Sequence, residues 1–288
     1  MKTQLSNAPS SGGDTVWENS IPWASLQVWK ILSPADTPKI LLQKGNTKVS
    51  FTPRAGWHID SCKINGVEIF YPFFGDPNKP KGGMPYMYPN AGPLTQEQID
   101  LSGLKLPQHG FGRISKWECN SETWEQRLVF SETPEFSFSG EVTLTVKIHD
   151  DGSLTFFQKV KNMWEKDLPL STGLHPYFRI PLGNKDDITW DFDGGEQVFA
   201  EREIWKTGGT GQYDVPENKK IAFSIPKIGT IELELSEDYK KFWVWSMKDK
   251  DFICVEPVMN HEGGIATSPI FVPPWETNMN FMKISLKK

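Results

Sequence analysis

Alternation of apolar and polar residues at a period of two runs through this chain, and it excludes most helical architectures. In GEVTLTVKIHDDGSLTFFQKVKN, residues 140–162, Val142, Leu144, Val146 and Ile148 fall on one side of an extended chain. Leu154, Phe156 and Val160 repeat the pattern after HDDGS. Successive side chains of a strand point to opposite faces, so this spacing buries one face and leaves the other wet. Asp151-Gly152 supplies the turn chemistry, and the segment is predicted to be a β-hairpin. The same period recurs in KIAFSIP and GTIELELSE, and KFWVWSM and FICVEP give two more strands around the polar turn KDKD. Helical periodicity is nearly absent; TQEQIDLSG, residues 95–103, predicts one short turn of helix.

The 22 prolines and 24 glycines are spread throughout, which breaks the chain into many short strands joined by loops. That pattern predicts a large antiparallel sandwich or barrel. With 288 residues and 12% aromatics there is material for one sizeable core, and large β domains often reach this length. Residues 1–15 read as a flexible polar leader without the apolar run of a secretory signal. Residues 16–288 read as one domain, since no linker or internal repeat interrupts them.

A net charge of −5 with no run of lysine or arginine argues against nucleic acid or an anionic membrane as partner. No apolar stretch approaches the roughly 20 residues needed to span a bilayer. Cys62, Cys119 and Cys254 are far apart and odd in number, forming neither a metal pair nor a disulfide framework. A reducing cytoplasm is therefore the expected location, with the thiols packed in the interior.

Three segments look unlike ordinary strands. KPKGGMPYMYPNAGPL, residues 79–94, is too rich in Gly and Pro for a ladder and suits either a ligand-lining loop or a structural crossing. In LPQHGFGRISKWE, His109 and Arg113 bracket a Gly-Phe-Gly turn. In FICVEPVMNHEGG, Glu256 ends an apolar run before a proline, and a carboxylate so placed is costly unless paired or used. STGLHPYFRIP sets His175 in the same way, an ionisable residue between an apolar run and a proline. Proline biases the preceding residue toward extended backbone and stops the ladder, so both side chains are expected at strand ends, aimed at a common cleft. Taken alone, His175 is better explained as a satisfied core residue. His149 reads as solvated in its hairpin turn, His58 as structural, and His261 lacks a metal partner set. No Gly-x-Ser-x-Gly elbow, P-loop or dinucleotide fingerprint is present.

Together these segments resemble the aldose 1-epimerase (galactose mutarotase-like) superfamily over roughly residues 40–285. GGMPYMYPNAG is similar to its Gly-Gly-x-Pro loop, QHGFGR to its His-Gly-Phe-Ala-Arg segment, LHPYF to its His-x-Tyr-Phe segment and CVEP to its glutamate strand. The resemblance implies an all-β fold, a β-supersandwich of two large, mostly antiparallel sheets with a sugar site in a cleft. It implies Glu256 as general base and His175 as general acid, with His109 contacting the sugar. It implies no metal and no cofactor, and a small-molecule sugar or sugar phosphate as partner. Asp214 is the best candidate for the aspartate that binds distal hydroxyls, with Asp191 and Asp193 competing. Asn90 stands where family members carry an Asn-Arg pair, here without the arginine. Arg113 follows the histidine motif, and Lys81 occupies the place of an arginine found in phosphate-specific branches. Trp57, Phe111, Tyr177 and Trp275 are candidate stacking surfaces for the apolar face of a sugar ring.

The chemistry this implies is interconversion of the α and β anomers of a hexose through an open-chain aldehyde, with base and acid on opposite sides of the hemiacetal. Hydrogen bonds to the Glu256 carboxylate are expected to keep it ionised. Two alternatives stand beside it: a hexose 6-phosphate as substrate, held by Lys81 and Arg113, and a carbohydrate-binding protein without turnover. A glycoside hydrolase would need a second carboxylate in a setting like that of Glu256. The sequence sets neither a monomer nor a dimer.

Overall fold

Two antiparallel sheets stack on a shared apolar interior in the computed structural model, which describes residues 40–51, 56, 58–76, 80–120 and 125–287. The first sheet has ten strands. Its main path runs Ile40–Lys44, Thr47–Phe51, His58–Ile64, Met84–Met87, Gly173–Leu174, Phe252–Val258, Lys241–Trp245 and Thr210–Asp214. Tyr177–Arg179 pairs with Phe252–Val258, and Val67–Glu68 with His58–Ile64. The second sheet has eight strands, with Leu154–Asn162 at its centre between Gly140–Ile148 and Thr277–Lys287. The predicted hairpin is there in full, from Gly140↔Asn162 to Ile148↔Leu154. Val142, Leu144, Val146 and Phe156 of that sheet join Phe51, Ile59, Tyr86 and Val255 of the other in one apolar cluster. The sandwich follows from the period of two, because each strand turns its apolar residues toward the facing sheet.

The predicted helix spans Gln96–Ser102, with a Thr95 capping box at one end and Gly103 in the left-handed region at the other. Among the described residues three further α-helices, Gly195–Ala200, Arg202–Lys206 and Gly264–Thr267, and the 3-10 turn Lys185–Asp187 are too short to show a period in the sequence. Among the described residues no helix is long and apolar enough to cross a membrane. The proposed leader at 1–15 and Trp57 lie outside the described residues.

Three local expectations need correction. The Gly- and Pro-rich segment around Pro85 does contribute a strand, Met84–Met87. Pro85 lacks an N–H but its carbonyl accepts the His175 N–H at 3.1 Å, so the ladder tolerates it. The proline after Glu256 does not stop its strand either, since Pro257 stands opposite Phe242 and pairing continues to Val258. At His175 the proline does interrupt the ladder, between Gly173–Leu174 and Tyr177–Arg179. His149 is half-buried, its Nε2 lying 2.7 Å from Thr155 Oγ1, instead of solvated.

Candidate active site

Phe252–Val258 is buried at all seven positions, so both of its faces are covered. Ile253 and Val255 belong to the inter-sheet core. The alternate residues Phe252, Cys254, Glu256 and Val258 therefore point to the other face of the sheet. There Phe252 and Cys254 pack with Tyr177 and Trp245, while Val258 packs with Met87, Ala91 and Trp243. Directly paired residues on neighbouring strands share a face. Glu256 stands opposite Trp243, and Trp243 opposite Gln212. Cys254 stands opposite Tyr177 on one side and Trp245 on the other.

His175 lies on this same face, two residues before Tyr177. Its Nδ1 is 3.3 Å from Glu256 Oε1, and both residues are buried, at 5% and 2% exposure. Tyr177 stacks on the imidazole with ring centres 4.6 Å apart and planes within 11°. Trp245 meets the His175 ring edge-on at 6.1 Å, and His109 does so at 5.4 Å. The histidine is thus clamped between aromatic surfaces that fix its orientation.

The pair stands side by side on the floor of one face, not on opposite walls of a cleft. Burial pushes the His175 imidazole well below its ordinary range, with His109, Arg113 and Lys81 adding to the effect. Burial likewise pushes the Glu256 carboxyl well above its ordinary range. The expected hydrogen bonds to the carboxylate are absent among the described residues; the His175 imidazole and the Cys254 thiol are the groups beside it.

His109 takes part through a loop clasp. Its backbone is left-handed, φ +64°, which turns the ring back over the preceding loop. The Gly92 N–H donates to His109 Nδ1 at 3.0 Å, and the His109 N–H donates to the Gly92 carbonyl at 3.1 Å. Nδ1 is therefore an acceptor and Nε2 carries the ring proton. Burial, followed by the charge of Arg113, pushes this imidazole down to about 3, so it stays neutral at working pH. Asn90 is fully buried and its Nδ2 donates to Gly92 O at 2.8 Å and Pro107 O at 3.3 Å. It ties the two loops together.

Arg113 is half-buried, donating to the Gln108 carbonyl at 3.3 Å. Lys81 Nζ lies 5.9 Å from the centre of the Trp245 ring. Asp214 shares the face of Glu256 but sits on the edge strand, 84% exposed and bonded to Lys241 Nζ at 2.6 Å. It lines a separate recess with Asp193, Gln197, Glu217 and Phe192, and among the described residues no contact joins it to the His175–Glu256 pair. Asp191 is exposed, with its backbone N–H bonded to the carbonyl of Ala222 in strand Lys220–Ile225 of the other sheet. Phe111 packs inward against Tyr88, Phe130 and Phe136, and Trp275 is 65% exposed. Neither faces the pair.

Cys254, Trp243 and Trp245 were not singled out from the sequence. The alternation in KFWVWSM and FICVEP already put the two tryptophans on one face and Cys254 on the face of Glu256. What it did not give was which face meets His175.

Two stacked antiparallel sheets, with a buried histidine–glutamate pair on the outer face of the larger one, make a sandwich of the galactose mutarotase-like class. The chain belongs to the aldose 1-epimerase family, whose family model matches residues 38–288. Solved structures share the fold. The Slr1438 protein from Synechocystis sp. PCC 6803 superposes with a TM-score of 0.75 at 21% identity, covering 90% of this chain and 99% of that one. A galactose mutarotase related enzyme from Lactobacillus acidophilus gives 0.66 at 16% identity, covering 87% and 98%. A galactose mutarotase-like protein from Lactobacillus casei gives 0.67 at 19% identity, covering 87% and 100%.

Proposed function

We propose that the protein interconverts the α and β anomers of a hexose by ring opening and closure, with Glu256 as base and His175 as acid. The observation that carries this reading is the buried contact between His175 Nδ1 and Glu256 Oε1 at 3.3 Å. Opening moves the C1 hydroxyl proton to the Glu256 carboxylate and a proton from the His175 imidazolium to the ring oxygen. The bond between C1 and the ring oxygen breaks, and C1 becomes an aldehyde carbon. After rotation about C1–C2, the same transfers run backward on the other face.

The pair holds one proton throughout, as imidazolium and carboxylate before opening and as imidazole and carboxylic acid after it. Burial favours the second, uncharged form, and the sugar's hydrogen bonds to the carboxylate favour the first. The two forms are thereby brought closer in energy, which is what a reversible proton relay needs. The neutral His109 contributes a fixed Nε2–H donor beside them.

A second reading, a hexose 6-phosphate as substrate, is favoured by Lys81 and Arg113, both close enough to His175 to lower its proton affinity. Lysine would bind the phosphate as a point charge and arginine as a fork.

NMR exchange between anomers of glucose, galactose and glucose 6-phosphate tests both readings. Wild type is expected to accelerate exchange, and His175→Asn or Glu256→Gln to lose about 10²–10⁴-fold of that acceleration. Exchange at the wild-type rate in either variant would remove the acid–base assignment. Competition between glucose and its 6-phosphate ranks the substrates.

A further inference from the structure

The acid–base reading leaves a buried thiol at the site unused. Cys254 is fully buried beside the pair, and proton transfer to a hemiacetal has no need of a thiol. One ligand atom each from His175, Cys254 and Glu256 all lie within 4.8 Å of one another. We propose that these three residues form a binding site for a thiophilic divalent cation such as Zn2+, and that its occupation switches the enzyme off.

The backbone makes the trio. Cys254 and Glu256 are two apart on one strand and share a face because Ile253 and Val255 are taken by the core. Tyr177, opposite Cys254, carries the chain back to His175. A tetrahedral ion with bonds of about 2.0–2.3 Å sets its ligands about 3.3–3.8 Å apart. The separation of His175 and Glu256 is already in that range at 3.3 Å, so the remaining closure amounts to roughly an ångström of side-chain movement.

The donor set selects the ion. Thiolate and imidazole prefer Zn2+ and Co2+ over the oxygen-seeking Mg2+ and Ca2+. The ion's two charges are matched by one thiolate and one carboxylate, which offsets the repulsion from Lys81 and Arg113 nearby. Binding releases the thiol proton and the proton shared by the pair. Three protein ligands leave a fourth position for water. The ion occupies the atoms that would otherwise exchange protons with the sugar, so a loaded site transfers none.

The inhibition rests on the acid–base reading above; the binding does not, and the test separates them. Co2+ is titrated into the full chain and thiolate-to-cobalt charge transfer is read in the near ultraviolet. The band is expected in wild type and in Cys119→Ser, and it is expected to vanish in Cys254→Ser, with Cys254→Ala as a second variant should the first fold poorly. Glu256→Gln should keep the band but bind Co2+ more weakly, by roughly tenfold or more. Zn2+ should then stop anomer exchange, EDTA restore it and Mg2+ leave it unchanged. No band in wild type, a band that survives in both folded Cys254 variants, or exchange accelerated by Zn2+ overturns the proposal. If the protein shows no exchange with any sugar, the acid–base reading falls while the cobalt spectrum still decides the site.

Discussion

Taking a carboxylate out of water has a cost that can be read as a function of pH. Glu256 is 2% exposed and burial raises its carboxyl above the ordinary range, so the folded chain holds this proton more tightly than the unfolded chain. The stability it contributes is fully present below the unfolded value and is lost as pH rises through the folded one. Glu256→Gln keeps the volume and removes the ionisation. Its stability relative to wild type should be smallest near pH 4 and grow as pH rises, reaching about 1–3 kcal/mol at pH 8. Scanning calorimetry at the two pH values measures this as a mutant melting point that climbs above the wild-type one while anomer exchange is lost. A variant less stable than wild type at pH 8 would show that the carboxylate is held by favourable contacts. His175 carries the opposite sign, since burial lowers its imidazole and its penalty appears as pH falls. The pair thus trades stability for a proton that either partner can hold.

Between single residues and the sandwich stands the clasp that joins two loops at Gly92. Its φ is +74°, and an added Cβ would stand 3.0 Å from both Glu262 Cγ and the Trp243 ring. Gly103 has nearly the same φ, +72°, with nothing within 4 Å of an added Cβ. Gly103→Ala should therefore show the backbone penalty alone, about 1 kcal/mol, with anomer exchange intact. Gly92→Ala should add a tight contact to which Glu262 and Trp243 must give by a few tenths of an ångström, and through the clasp it should lower the rate of exchange by about tenfold or more. Equal rates for the two variants would show that the clasp does not position His109 for the reaction. This level is also where the sequence stops being legible. The hairpin at 140–162 and the capped helix at 96–102 were readable because turn, cap and period all lie within one segment. His175, Glu256 and His109 stood out as ionisable residues in apolar or glycine-rich settings. The clasp of Asn90, Gly92 and His109 was not readable, because its hydrogen bonds join residues 17 apart across loops without period. The surroundings of Asp214 were unreadable for a similar reason: nothing local shows that Lys241, 27 residues on, already holds its carboxylate.

Across the whole molecule, the larger sheet separates two kinds of work. Its inner face makes the core with the second sheet, and its outer face carries the pair. Phe178 shows how near they come, lying next to Tyr177 in the chain yet pointing inward. It is fully buried and its ring meets Phe223 of the opposite sheet at 5.1 Å and Phe70 at 5.7 Å. Phe178→Ala deletes a contact that spans the sandwich, and truncations of this kind cost about 3–5 kcal/mol. For a unit of this size that corresponds to a melting point lower by about 10 °C. Tyr177 and His175 still hang on the outer face, held by the pairing of Tyr177 with Cys254 and by Trp245. Exchange per folded molecule, measured well below the lowered melting point, should therefore stay near the wild-type value. Unchanged stability would mean that the sheets are not held together at Phe178. Lost exchange in a fully folded variant would mean that core packing sets the geometry of the pair, and that the two faces of the sheet cannot be altered independently.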